Sequence, residues 1–217
     1  MLTNFQSVSQ RRKTMPNWCS NSITISGPTE TIKQVWDDAH VGDDFGLLNA
    51  MAPMPKELDG TTSPSPQNGK PQPLVDGFDN WYDWRVQNWG TKWDVDDTGL
   101  EYVDNKDGTS HITGWFDSAW GPPIEAYNTF LDDMDNCSIE ATYEEGGMDF
   151  AGIYDNGDDQ YMEGLGEWCS AVVKGTCALE DTPELFQKLE DEFELIENRR
   201  EWIEEEMEEE KAKEKVN

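Results

Sequence analysis

Residues 99–120 read GLEYVDNKDGTSHITGWFDSAW. GLEYV and HITGWFDSAW are short runs rich in aromatic and β-branched residues, and NKDGTS between them carries the Asp-Gly signal of a tight turn. The stretch is therefore expected to be an antiparallel β-hairpin. Downstream, GPPIEAYNTFLDDM opens with prolines suited to a first helical turn, and Ile124, Tyr127, Phe130 and Leu131 form the expected buried face. SIEATYEEGG and MDFAGIYDNG follow as a second hairpin broken at Gly146-Gly147, with DNGDDQ from Asp155 read as a turn.

Upstream, NSITIS (Asn21 to Ser26) alternates, with Ile23 and Ile25 on one side and Ser22, Thr24 and Ser26 on the other, as in a half-buried strand. Gly27-Pro28 should end it, and Thr29 should cap a helix whose inner face carries Ile32, Val35 and Trp36. FGLLNAMAPMPKEL is a short apolar segment with proline breaks, expected to be irregular, and GTTSPSPQNGKPQP has the composition of a mobile loop. FDNWYDWRVQNWG is helical in pattern. Phe78, Trp81, Tyr82, Val86 and Trp89 fall on one stripe, Trp84 lies off it, and Gly90 is a C-terminal cap. TKWDV then reads as a strand with Thr91, Trp93 and Val95 on one face and Lys92 and Asp94 on the other. The order implies an α+β fold: a ferredoxin-like antiparallel sheet with helices on one face.

Three segments are expected. Residues 1–14 form a flexible tail, with the ordered chain beginning at Met15; residues 15–179 form the α+β domain, with the Pro/Ser/Gly-rich loop at 60–75; residues 180–217 form an acidic C-terminal helix. Thr182-Pro183-Glu184 is a strong helix start. After it, Phe186, Phe193 and Met207 share one heptad register and Leu189, Ile196 and Ile203 the other, interrupted by Arg200. That stripe suits docking onto the body or dimerisation equally.

The composition bounds the function. The chain has 217 residues, 35% of them apolar and 29% charged, and its ten tryptophans argue for a folded, aromatic-rich core. It carries 46 acidic against 16 basic residues, a formal charge of −30. Such a chain repels nucleic acids and anionic membranes and attracts basic protein surfaces. Cys19, Cys137, Cys169 and Cys177 have no metal-ligand spacing with one another or with His40 and His111, so neither a zinc site nor a redox dithiol is expected. With no secretory signal at the start and no apolar run of membrane-spanning length, the expected location is the cytoplasm, with reduced thiols.

Four motifs, MPNWCSN at Met15, YDWRVQNWGTKWD at Tyr82, FDSAWGPP at Phe116 and YEEGGMDFAGIY at Tyr143, together resemble the YubB-type ferredoxin-like family of phage and plasmid proteins over about residues 15–156. The resemblance implies the fold and a setting on mobile elements within a bacterium. It supplies no catalytic residues and no cofactor.

The tryptophans around Lys92 raise the question of a site. Packing is the first reading, because each indole buries a large area with few rotatable bonds. Trp81, Trp89, Trp93 and Trp120 are expected to form one cluster across Gly90, with Lys92 paired to Asp94, Asp96 or Asp117. The functional reading is a shallow pocket formed by Asn17, Trp84, Trp89, Lys92, Trp93, Asp117 and Trp120, with the ammonium as a point charge for a small anion or nucleotide. The open sheet face should show Ser22, Thr24, Thr113, Trp115, Asp117, Glu140, Thr142 and Glu144, one aromatic without a cation, so it does not suit nucleic acid. No nucleophile–base arrangement is recognisable, no catalytic residue is named, and no metal or cofactor is expected.

The expectation is a non-enzymatic binding protein that engages a basic host protein, a DNA-processing or defence protein in the sharper form, through its acidic surface and the helix bearing Phe186, Leu189, Phe193, Ile196, Arg200, Ile203 and Met207. The alternatives are the anion or nucleotide pocket and a self-assembling protein, such as a homodimer, joined by that helix.

Overall fold

The computed structural model describes residues 17–41, 45–63 and 72–214; the expected tail at 1–14 and residues 64–71 of the polar loop lie outside them. Strands are β1 (Trp18–Pro28), β2 (Leu100–Asp104), β3 (Thr109–Ala119), β4 (Ser138–Glu145), β5 (Phe150–Asp155) and β6 (Asp158–Glu163). Helices are α1 (Thr29–Ala39), α2 (Leu47–Met51), α3 (Trp81–Trp89), α4 (Ile124–Asp133), α5 (Leu165–Val173), α6 (Glu184–Phe193) and α7 (Leu195–Glu214). The strands form one six-stranded antiparallel sheet in the order β2-β3-β1-β4-β5-β6.

The hairpin at 99–120 is present, with Leu100 opposite Gly114 and Asp104 opposite Ser110, and the Asn105 amide closes the turn on the Thr109 carbonyl at 3.1 Å. Alternation in β1 sends Ile23 and Ile25 into a core with Ile112, Phe116, Ile139, Ala141 and Tyr154 from neighbouring strands. Ile32 and Val35 of α1, Leu47 and Leu48 of α2, Trp84 and Trp89 of α3, and Tyr127 and Phe130 of α4 cover them. Each Ile, Val, Leu or Phe side chain among them contributes about 1.5–3 kcal/mol on full burial.

Helices occupy both faces of the sheet, a correction to the one-face expectation. On β5, Tyr154 joins the first core, whereas Ala151 joins a second with Leu165, Cys169, Phe186, Leu189, Leu195, Ile196 and Ile203. An odd and an even residue of one strand point to opposite faces, so α5, α6 and α7 pack on the face away from α1–α4.

The heptad segment is two helices rather than one. Glu194 takes a left-handed conformation at φ 51 and ends α6. Phe186, Leu189, Ile196 and Ile203 are buried against the chain itself, with Phe193 and Met207 packed beside them. The stripe offered for dimerisation is thus covered from within, while Arg200 is exposed and pairs with Glu197 at 2.8 Å.

Other expectations are also revised. Thr29 is the first residue of α1 rather than its cap; Pro28 holds the cap position, and the Thr29 hydroxyl accepts from Ser110 Oγ at 3.0 Å. TKWDV is not a strand: Asp94 is drawn inward to accept the Leu48 and Asn49 amides at 2.8 and 3.0 Å, which satisfies the first turn of α2 and bends the chain. The FGLLNAMAPMPKEL segment holds the one-and-a-half-turn α2 and a 3₁₀ turn at Lys56–Leu58. DNGDDQ is only partly a turn, since Asp158 begins β6.

Candidate functional site

Gly90 caps α3 at φ 84, the left-handed value that favours glycine, and reverses the chain. The next residue, Thr91, is buried; its hydroxyl donates to the Ala119 carbonyl at 2.9 Å and accepts the Ala119 amide at 3.0 Å. This clamp sets Lys92 and Trp93 beside the end of β3. Trp120 follows with φ 73, a sparsely populated conformation for so bulky a residue, and its amide donates to the Asn17 carbonyl at 2.9 Å. Such a residue costs on the order of 1–3 kcal/mol and persists where its surroundings over-determine it.

The result is a ring cage around Lys92. Its Nζ lies 4.2 Å from the Trp93 ring centroid, 5.3 Å from Trp120 and 5.9 Å from Tyr82. Trp18 extends the group, 5.8 Å from Trp93. Trp18, Trp93 and Trp120 remain 44%, 36% and 42% exposed, so this is a surface rather than a core. The indoles therefore hold the ammonium by cation–π attraction. Lys92 makes no ion pair among the described residues, contrary to the expected pairing with an aspartate, and it lies on the same side as Trp93 rather than opposite.

Trp18 also lines a cleft of ≈ 480 Å³ with Phe45, Asp94, Asp96, Asp97 and Asp117. Burial raises the Asp94 carboxyl above its ordinary range, even though three backbone amides and the nearby Arg85 favour its ionised form. Asp117 accepts from Ser20 Oγ at 3.0 Å, Asp96 accepts the Thr98 amide at 2.9 Å, and Asp97 lies 3.5 Å from His40 Nε2. No group of three or more His, Cys, Asp or Glu side chains among the described residues is placed to hold a metal ion.

Of the seven residues grouped from the sequence, Lys92, Trp93 and Trp120 come together. Asn17 touches them through its carbonyl, and Asp117 sits in the adjoining cleft. Trp84 and Trp89 do not take part. They are 7% and 0% exposed and meet edge-on at 6.0 Å, and Trp89 Nε1 donates to the Ala52 carbonyl at 2.8 Å. Arg85 stacks over Trp81 and Trp89 at 5.2 and 4.6 Å, a second cation–π group on α3. Trp18, Phe45, Tyr82, Asp94, Asp96 and Asp97 were missed as site residues, Asp94 and Asp96 having been named only as partners for Lys92. The density of indoles and aspartates in WGTKWDVDD was the available signal for the aspartates.

The sheet face named from the sequence is partly covered. Glu192 of α6 accepts from Thr142 Oγ1 at 3.0 Å, and Arg199 of α7 reaches Glu144 at 3.2 Å and Asp149 at 3.3 Å. A cation thus reaches a face expected to have none.

Neither a protein-family model nor a curated protein sequence matches the chain. Among solved structures, the crystal structure of the protein api92 from Yersinia pseudotuberculosis matches at a TM-score of 0.29 and 22% identity, over 41% of this chain and 32% of that one. A likeness of that degree carries no argument about fold or activity. No described helix is long and apolar enough to cross a membrane.

Proposed function

We propose that the chain is a non-enzymatic binding protein that engages a basic partner protein through the face bearing Trp18, Trp93, Trp120 and the aspartate cleft. The observation that carries this reading is the double role of Trp18, which stacks on the Lys92 cage and also walls the cleft with Asp94, Asp96, Asp97 and Asp117. Exposed rings beside carboxylates suit lysine and arginine side chains, whose charge meets both carboxylate and π-face. The long-range field of a chain at −30 steers a basic surface toward it.

An antiparallel β2-β3-β1-β4 order with helices in both crossovers supports the ferredoxin-like reading. Together with the four-motif resemblance, it supports a setting in the bacterial cytoplasm as a phage or plasmid accessory protein. There a DNA-processing or defence protein, built to meet phosphates, supplies the basic surface. An anion or nucleotide site at Lys92 has less behind it, because the ammonium is already held by the rings of Trp93, Trp120 and Tyr82. Self-assembly through α6–α7 has less too, since its apolar stripe is spent on the body.

The test is a tagged pull-down from nuclease-treated bacterial lysate, comparing the parent with a Trp18→Ala/Asp96→Asn/Asp97→Asn variant. A stoichiometric basic protein retained by the parent, released by salt and lost with the variant is the expected result. Equal retention by both forms contradicts the assignment of the face.

A further inference from the structure

A second cavity, of ≈ 360 Å³, opens between the start of α4 and the outer strands β4, β5 and β6. Its lining combines the rings of Tyr143, Phe150 and Tyr161 with the carboxylates of Glu125, Asp159 and Glu163. Pro122 and Ile124 add an apolar wall, and among the described residues no lysine or arginine lines it. None of these residues belongs to the cage or to the aspartate cleft.

The rings are held in place. Gly152 stands opposite Tyr143 in the β4–β5 pairing, and a Cβ there would collide with the Tyr143 phenol, so the missing side chain lets that ring lie across β5. The Tyr143 hydroxyl then donates to Asp159 Oδ1 on β6 at 2.7 Å, and its ring meets Phe150 edge-on at 6.2 Å. Tyr161, 58% exposed, stands at the mouth. Among the described residues, Glu125 and Glu163 make no side-chain hydrogen bond or ion pair, and both are exposed at the rim.

We propose that this cavity binds an organic cation, an alkylammonium or guanidinium group carried on a short apolar stem. The ring faces and carboxylates attract the charge, the Pro122–Ile124 wall takes the stem, and an anion would meet the carboxylates of Glu125, Asp159 and Glu163. The ligand's source is either a free amine or a basic side chain of a polypeptide; the chemistry is the same. The site is independent of the Trp18 face and does not rest on that reading.

The experiment follows backbone amide shifts by NMR while the whole protein is titrated with butylammonium chloride, with the tripeptide acetyl-Gly-Lys-Gly-amide, and with butanol as the neutral isostere. Saturable shifts at Gly121, Ile124, Phe150 and Tyr161 are expected with butylammonium and not with butanol. Tighter binding of the tripeptide marks a polypeptide source, and tighter binding of butylammonium a free amine. Tyr161→Ala and Glu163→Gln, both at exposed positions that leave the cores intact, should each weaken binding about tenfold, while Trp18→Ala should leave it unchanged. The proposal is overturned by equal shifts with butanol, by shifts spread over the acidic surface as sodium chloride alone produces them, or by parent-like binding in both variants.

Discussion

Trp120 shows how a single residue can work against its own backbone. Its φ of 73 suits glycine, yet an indole there is what closes the ring cage on Lys92. Replacing the ring therefore has two separable effects. Trp120→Gly should be more stable than Trp120→Ala by about 1 kcal/mol, the reverse of the usual order, because only glycine relaxes the left-handed conformation. Chemical denaturation of the two variants measures this, and a more stable alanine variant would contradict the strained geometry. Gly152 makes the opposite argument, a residue whose absent side chain is its function. Gly152→Ala should cost about 1–3 kcal/mol through collision with the Tyr143 ring, and much less in a Tyr143→Leu background, as read by thermal unfolding. Neither role is legible in the sequence, because backbone conformation and close approach across a sheet are properties of the neighbours.

At the scale of elements, the strong signals were those with a clear period or a turn. The hairpin around Asp107-Gly108, the alternation of β1 and the proline start of α4 could all be read directly. The phase of α3 could not. Phe78 lies before the helix, which starts at Trp81 after the Asn80 cap, and counting from it turned the stripe so that Trp84 was placed outward and Val86 inward. β6, DDQYME, is an edge strand with polar residues on both faces and offers no alternation to detect. The heptad in α6–α7 was visible, but the break at Glu194 was not, since a glutamate in a left-handed conformation leaves no compositional mark. Arg199 holds this helix pair to the sheet through Glu144 and Asp149, and its side chain is only 17% exposed. Arg199→Leu should speed amide hydrogen exchange across 184–214 roughly tenfold or more, with little change in α1. Unchanged exchange there would mean that the apolar contacts alone hold the pair.

For the whole molecule, charge is the dominant property. Burial raises the carboxyls of Asp94, Glu144 and Glu190 above their ordinary range. An acid raised in the folded state holds its proton there when the unfolded chain has already lost it. Its stabilisation is therefore present below the unfolded value and disappears as the pH rises through the folded one. Self-repulsion at −30 acts in the same direction. Stability should thus rise on acidification from neutral pH toward the ordinary carboxylate range. A melting temperature lower at about pH 5 than at neutrality would refute the sign.

The same charge makes location the decisive question, because a diffuse field and a defined face both attract a basic partner. Titration of the protein with an arginine-rich peptide, followed by tryptophan fluorescence, separates them when the Asp96→Asn/Asp97→Asn variant is compared with a Glu205→Gln/Glu206→Gln variant that removes equal charge from α7. Saturable binding that is weakened at least tenfold by the aspartate pair and little by the glutamate pair is the expected result. Equal weakening by both would mean that the protein attracts basic surfaces by net charge alone and that the Trp18 face has no special part in it.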